Sequence, residues 1–113
     1  MNAPSDSLIR LVYSSRLRAN VSAEMVADIV RVSDKRNRAE AITGMLALDD
    51  SRVCQILEGP HDAVVALFHA IERDSRHEGV VELSRKPIVF RAYSSWGMTQ
   101  RSMAEAAMVA FAD

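Results

Sequence analysis

The stretch Val53-Cys54-Gln55-Ile56-Leu57-Glu58-Gly59 places an amide where a hydrocarbon side chain is expected. In a β-strand alternate residues share a face, so Val53, Gln55 and Leu57 point the same way. An amide buried on such an apolar face without hydrogen-bond partners costs about 1–3 kcal/mol. Tyr13 ends the apolar face of an earlier strand in the same way. Two hydrogen-bonding side chains directed into one core predict a polar network or a polar ligand.

The composition is that of an ordinary globular domain. The chain has 113 residues, of which 49% are hydrophobic and 26% are charged, so we expect a single domain. The net charge of −1 gives no overall field that would attract nucleic acid or an anionic membrane surface. The single cysteine, Cys54, excludes an intramolecular disulfide and a cysteine-rich metal site.

The first residues of the chain carry no targeting signal. Residues 1–7 are polar and lack an apolar signal segment, and we expect them to be disordered. No run approaches the roughly 18 apolar residues that a membrane-spanning helix requires. The sequence therefore predicts a cytoplasmic location without membrane contact.

Strand and helix patterns alternate in the first half of the chain. A strand is expected over Ile9–Ser14, and Ser22 is a suitable N-cap for a helix whose inward face ends at Asn37. Strands are expected next over Ile42–Leu48 and Val53–Glu58, joined by a polar turn over residues 49–52.

The second half repeats the helix-then-strand order. Gly59-Pro60 opens a second helix with proline in its first turn, and a polar link over residues 74–79 leads to a strand at Val80–Arg85. A last strand is expected near Phe90–Met98, followed by a short helix that Ser102 and Glu105 begin as a capping box. The order βαββαββ plus a helix predicts an α+β, ferredoxin-like sheet with two helices on one face.

Three uncharged polar side chains converge in this arrangement. Tyr13 and Gln55 project from two strands toward the helices, and Asn37 projects from a helix end toward the sheet. Each combines hydrogen-bond donor and acceptor capacity without a permanent charge. Such a set suits a neutral, planar ring with heteroatoms at its edge better than it suits a phosphate or a metal.

At these residues the chain resembles the BLUF domains, the bacterial blue-light sensors that use flavin. The resemblance covers Leu8 to Met98, both in the residues of the matching segments and in the spacing between them. The chain is similar to the short or stand-alone members of the family. The matching segments are Leu11-Val12-Tyr13-Ser14-Ser15, Arg36-Asn37, Ile42-Thr43-Gly44-Met45-Leu46, Gln55-Ile56-Leu57-Glu58-Gly59, Asp74-Ser75-Arg76-His77 and Trp96-Gly97-Met98.

The resemblance implies a role for each of these residues. Tyr13 would be the photochemical donor of an electron and a proton, and Gln55 would be the switch between Tyr13 and the flavin. The remaining roles follow from the same resemblance: Asn37, Arg76 and His77 would hydrogen-bond the flavin edge, Ile29 and Ile71 would sandwich its rings, and Trp96 and Met98 would exchange between buried and exposed positions.

The resemblance also implies the function. The cofactor would be non-covalently bound FAD, with FMN or riboflavin as alternatives, and blue light would convert it reversibly to a red-shifted signalling state. The signal would pass through the last strand to an unknown protein partner or effector. No enzymatic activity is expected. Residues 8–98 would form the sensor and residues 99–113 a capping helix, which could also support a homodimer.

One departure concerns the charge near the ribityl chain. Ala70 stands where members of the family tend to carry a basic residue, and Arg38 is expected to compensate for it.

Other interpretations remain open, both for the individual residues and for the function of the fold. Alone, Gln55 would be read as an edge residue, Tyr13 as a core aromatic and Asn37 as a helix cap. The fold also hosts small-molecule binding and acyl-phosphatase-like domains, but the loop after the first strand lacks the glycines of a phosphate cradle. Because His61, His69 and His77 are not clustered, no metal is expected.

Overall fold

The computed structural model describes residues 7–95 and 97–110. The elements are β1 (Leu8–Leu17), α1 (Ala23–Ala39), β2 (Thr43–Asp49), β3 (Arg52–Pro60), α2 (His61–Glu72), β4 (His77–Pro87), β5 (Gln100–Arg101) and α3 (Met103–Ala110). The sheet has the order β4-β1-β3-β2-β5, antiparallel throughout except that β5 runs parallel to β2. This arrangement confirms the predicted α+β, ferredoxin-like architecture.

The signals that begin and end elements act close to where the sequence places them. Ser22 caps α1, since its Oγ accepts the backbone N–H of Met25. Asp50 takes a positive φ of 59° in the turn between β2 and β3, a conformation that Asp tolerates. Pro60, predicted to lie in the first turn of α2, is its N-cap, so the helix begins one residue later, at His61.

Each face of the sheet packs against its own apolar cluster. On the face of α1 and α2 the cluster includes Leu11, Leu57, Val64 and Phe68. The opposite face has a smaller cluster, which packs against α3 and consists of the buried residues Val12, Met45, Ala47, Ile56, Tyr93 and Ala106. Alternation along each strand produces this division, because neighbouring residues point to opposite faces.

Strand β4 begins earlier than predicted. The sequence suggested a polar link as far as Gly79, but the strand already starts at His77, which pairs with Leu17 of β1. Gly79 adopts a φ of 62° beside a register shift of the β1–β4 pair. The glycine therefore marks an irregularity inside a ladder rather than a loop, as isolated glycines in strands often do.

The predicted strand near Phe90–Met98 is wrong. In the described part of this stretch the chain forms bends and turns, and the last strand, β5, has two residues, Gln100–Arg101. The Glu58 carboxylate accepts the backbone N–H groups of Ala92 (3.0 Å) and Tyr93 (2.9 Å), so these donors bond a side chain instead of a neighbouring strand. Trp96, expected to share a strand face with Met98, lies outside the described residues.

The final helix begins where predicted, but only one of the two hydrogen bonds of the predicted capping box is present. Ser102 Oγ accepts the backbone N–H of Glu105 at 3.1 Å, which is half of a capping box. The Glu105 carboxylate instead lies 3.4 Å from Tyr93 Oη and 3.6 Å from Arg101 Nε. Within residues 7–95 and 97–110, none of the helices is both long and apolar enough to cross a membrane.

Candidate functional site

Tyr13 and Gln55 face each other across the centre of the sheet. They are register partners in the β1–β3 pair, and their exposed fractions are 2% and 7%. Tyr13 Oη donates a hydrogen bond to Gln55 Oε1. Gln55 Nε2 in turn lies 3.4 Å from Met98 Sδ, so the amide is satisfied at both ends. The polar network that the sequence predicted is present, and it includes the thioether of Met98.

The end of α1 holds the segment that carries Met98. Asn37 is buried in the last turns of this helix, and its Nδ2 donates to the carbonyl oxygen of Gly97 at 3.0 Å. Asp34 Oδ1, one turn earlier, accepts the backbone N–H of Met98 at 3.1 Å. At Gly97 a Cβ would lie 2.1 Å from the backbone oxygen of Asp34, so glycine permits this close approach.

A cleft lies between the two long helices and the sheet. The space between them, counting the part open to solvent, is about 760 Å³. Tyr13, Asn37 and Gln55 line its polar side. Its apolar walls come from α1, α2 and the strands, with contributions from Val26, Ile29, Leu46, Val53, Leu67 and Ile71.

Charged residues from α1 and from the link before β4 also line this cleft. They are Arg36, Asp74 and Arg76, with His77 beside them. Asp74 accepts Arg76 Nε at 2.9 Å, and hydrogen bonding from Arg76 lowers the pKa of Asp74 to about 2. His77 is fixed on both sides, with Nδ1 3.0 Å from Ser15 Oγ and Nε2 2.6 Å from the Ile71 carbonyl oxygen.

The environment of Tyr13 keeps its phenol neutral. Burial, with smaller contributions from the charges of Asp74 and Cys54, raises the pKa of Tyr13 well above its ordinary value of 10.0. Phe68 packs against the Tyr13 ring at a centroid distance of 5.5 Å. The phenol is therefore a fixed proton donor, and its proton points at the Gln55 amide.

The donor set of the cleft fits a flavin. Its interior offers a phenol and two amides, which match the nitrogen and carbonyl edge of an uncharged flat ring, between apolar walls. The guanidinium group of Arg36 matches an anionic tail, whereas that of Arg76 is paired with Asp74. In the described part of the chain, no group of three His, Cys, Asp or Glu residues could hold a metal ion.

The structure brings the predicted contact residues together. Every residue named for flavin contact lines the cleft, namely Tyr13, Ile29, Asn37, Gln55, Ile71, Arg76 and His77. Met98 contacts Gln55 directly, and Trp96 lies outside the described residues. Arg38, suggested as an electrostatic replacement for a basic residue at Ala70, donates to Asp34 Oδ1 (3.1 Å) and to the Ser95 carbonyl oxygen (3.2 Å) and does not line the cleft.

Sequence reasoning missed three polar residues of the lining, Ser33, Arg36 and Asp74, as contributors to the site. The helical period could have found two of them. Ser33 follows Ile29 by four residues and Arg36 follows it by seven, so both lie on the same stripe of α1 as Ile29.

The fold and the cleft together define a small ferredoxin-like domain built to hold a flat heteroaromatic ligand. The family model for sensors of blue-light using FAD, the BLUF family, matches residues 8–99. The chain therefore belongs to the BLUF family, and it is a blue-light sensor domain that uses flavin.

Named relatives show the same domain inside longer proteins. The chain is 32% identical over 91 residues to the blue light- and temperature-regulated antirepressor BluF of Escherichia coli (strain K12), covering 80% of this chain and 23% of that protein. It is 40% identical over 88 residues to photoactivated adenylate cyclase subunit alpha of Euglena gracilis, covering 78% of this chain and 9% of that protein. The chain thus spans less than a quarter of the length of these curated relatives.

Solved structures agree with the assignment. The dark-state structure of the BLUF protein BlrB superposes with a TM-score of 0.82 at 33% identity, over 96% of this chain and 80% of that chain. A bacterial light-regulated adenylyl cyclase superposes with a TM-score of 0.81 at 33% identity, over 87% of this chain and 29% of that chain.

Proposed function

We propose that this chain senses blue light through FAD held in the cleft, with Tyr13 as the donor, Gln55 as the switch and Met98 as the first residue that responds. The observation that carries the proposal is the pair of contacts made by one amide, with Tyr13 Oη at Gln55 Oε1 and Met98 Sδ at Gln55 Nε2. The choice of FAD follows the family description, and FMN is the cofactor named with a solved structure of BlrP1 from Klebsiella pneumoniae.

In this proposal each of these lining residues has a part in holding the cofactor. Asn37 and Gln55 would hydrogen-bond the polar edge of the rings, and Ile29 and Ile71 would pack on their faces. Arg76, from the link before β4, and His77, the first residue of β4, would complete the polar edge. A bound flavin supplies absorption of blue light and an excited ring that accepts an electron and a proton.

Tyr13 is suited to be the donor of both particles. Its phenol is buried and its raised pKa keeps the proton on Oη in the dark. The hydrogen bond to Gln55 Oε1 directs that proton into the cleft rather than toward solvent. Loss of the electron makes a phenol strongly acidic, so the proton leaves along the same hydrogen bond.

Gln55 is suited to be the switch because its two ends have different partners. Rotation of the amide by 180° would turn Nε2 toward Tyr13 Oη and Oε1 toward Met98 Sδ. The thioether sulfur is an acceptor only, so two acceptors would then face each other and the contact with Met98 would be lost. The rotated amide thus alters both neighbours without a change in covalent structure.

Met98 connects the switch to the far side of the domain. The carbonyl of the next residue, Thr99, accepts the backbone N–H of Leu46 at 2.8 Å, and β5 and α3 follow directly. A shift of Met98 would therefore act on the strand and helix that cover the second face of the sheet. In this proposal residues 8–98 are the sensor and residues 99–113 are the cap. The structure describes the cap as far as Ala110, and its helix α3 spans Met103–Ala110.

The output of the sensor is a change in a protein partner or effector. Some relatives are named as photoactivated adenylate cyclases, but none of the roles proposed here for the chain's own residues is catalytic. We propose that this domain works in the cytoplasm as a non-enzymatic sensor, and the homodimer stays a prediction.

The test is the absorption spectrum of the purified protein in darkness and after blue light. We expect a flavin band that shifts to the red and returns in the dark. Tyr13→Phe and Gln55→Leu should bind flavin without showing this shift. Tyr93→Phe is the matched control, because Tyr93 is equally buried but lies in the cluster on the opposite face, and it should keep the shift. A normal photocycle in Tyr13→Phe or Gln55→Leu would refute the roles assigned to them.

A further inference from the structure

A groove runs along the outer side of α1, beside the flavin cleft. Its lining on α1 is Met25, Asp28, Ile29, Val32, Ser33 and Arg36, and Arg76 closes it from the link before β4. The α1 residues recur at helical spacing, so they form one stripe about 16 Å long at a rise of 1.5 Å per residue. With the space open to solvent, the groove encloses about 640 Å³. We refer to it as the outer groove.

The outer groove adjoins the cleft directly. Ile29, Ser33, Arg36 and Arg76 line both cavities. A ligand that fills the cleft and extends past these four residues therefore enters the outer groove. The two guanidinium groups stand at this junction.

Arg36 is the available cation at the junction. Among the described residues its side chain has no hydrogen-bond or ion-pair partner, whereas Arg76 pairs with Asp74 and the neighbouring Arg38 pairs with Asp34. A guanidinium fork matches the oxygens of a phosphate and binds them with charge-assisted hydrogen bonds. An anionic group that passes from the cleft to the outer groove would meet this side chain.

Beyond the junction the groove is partly apolar. Met25 and Val32 are exposed to 40% and 54%, which is a large exposure for hydrophobic side chains on a helix. The thioether of Met25 suits contact with an aromatic ring. Asp28 lies between them along the helix and offers a carboxylate acceptor for hydroxyl groups. From the junction outward, the groove therefore presents first a cation and then an apolar surface that includes one carboxylate able to accept hydrogen bonds from hydroxyl groups.

We propose that the outer groove binds the adenosine monophosphate half of FAD, with Arg36 holding the phosphates at the junction and Val32 and Met25 contacting the adenine. This inference rests on the proposed function, since the isoalloxazine must occupy the cleft. It makes Arg36, and neither Arg38 nor residue 70, the residue that selects phosphorylated flavins. The chain should accordingly prefer FAD to FMN, and FMN to riboflavin.

The experiment is an exchange competition read without light. The holoprotein is dialysed in darkness against an equimolar excess of FAD, FMN and riboflavin, then denatured, and the released flavins are quantified by chromatography. We expect FAD to dominate in the unmodified protein. Arg36→Gln should lower the ratio of phosphorylated flavins to riboflavin about tenfold, the effect of losing one charge-assisted hydrogen-bonding group. Val32→Gln should lower only the ratio of FAD to FMN, by about threefold.

Lys35→Gln is the matched control, because it removes one charge from the adjacent residue, which lines neither cavity. It should leave all ratios unchanged. Equal occupancy by the three flavins in the unmodified protein, or unchanged ratios in Arg36→Gln, would overturn the inference while leaving the flavin sensor in place. A protein that retains no flavin at all would overturn the proposed function together with this inference.

Discussion

At the scale of single residues, the site depends on placing uncharged polar groups in an apolar core. Tyr13, Asn37 and Gln55 could be identified from the sequence because each interrupts an apolar pattern at a position that fixes its direction. Their partners could not be identified in this way. The Gly97 carbonyl and the Met98 sulfur come from a segment without regular structure, and no periodicity predicts which atoms of such a segment face inward.

The buried phenol of Tyr13 makes stability fall at alkaline pH. Its pKa is raised in the folded state, so above pH 10 the unfolded chain loses a proton that the folded protein keeps. The stability that this difference represents is complete below pH 10 and is lost as the pH rises toward the folded pKa. One such proton gives a slope of about 1.4 kcal/mol per pH unit at most.

The measurement is the free energy of unfolding in urea between pH 9 and pH 11, with flavin at saturation. Tyr13→Phe should show a shallower decline than the unmodified protein, because phenylalanine has no proton to lose. Equal slopes in the two proteins would show that Tyr13 ionises as readily in the folded state as in the unfolded chain.

At the scale of elements, long segments were predictable and short ones were not. The boundaries of α1 and of the β2–β3 hairpin follow the capping residue, the apolar period and the turn. β5 has two residues and carries no pattern of its own. The irregular stretch before it differs from the predicted strand because two of its backbone donors, those of Ala92 and Tyr93, bind Glu58, which is more than thirty residues away in the sequence.

Helix α3 contains two adjacent alanines, and substituting each of them in turn distinguishes the contribution of packing from that of helix propensity. Ala106 is buried against the second face of the sheet, whereas Ala107 is exposed. Ala106→Glu should lower the free energy of unfolding by about 2–4 kcal/mol, since it forces a carboxylate into an apolar contact. Glutamate is a good helix former, so Ala107→Glu should change stability by no more than about 0.5 kcal/mol. Urea unfolding measures both, and similar losses would mean that α3 does not pack as described.

At the scale of the whole molecule, one buried carboxylate ties the sheet to the irregular segment. Glu58 is completely buried and binds Arg10 Nε at 2.8 Å as well as the N–H groups of Ala92 and Tyr93. Arg91 continues this attachment through hydrogen bonds to Thr43 Oγ1 (2.9 Å) and the Ala41 carbonyl (2.8 Å). The path of the chain from β4 to β5 is therefore set by charged groups as much as by apolar packing.

Glu58→Gln should be strongly destabilising. The amide would place N–H donors against N–H donors and leave Arg10 without a countercharge in a largely buried position, at a cost of about 3–5 kcal/mol. Urea unfolding gives the loss, and hydrogen exchange at the amides of Ala92 and Tyr93 should accelerate. Glu82→Gln, in a partly exposed pair with Arg85, is the control and should cost no more than about 1 kcal/mol. If both variants lose the same amount, Glu58 does not fix this segment.

The amide of Gln55, with Tyr13 at one end and Met98 at the other, has a consequence for how a signal is kept. Its nitrogen and oxygen are nearly equal in size, so both orientations fill the same volume and the surrounding core packs equally well around either. What differs is only the order of donor and acceptor. Such a sensor stores its state as one of two orientations of an amide. The two orientations have the same shape, so the state affects the rest of the protein only through the contact with Met98.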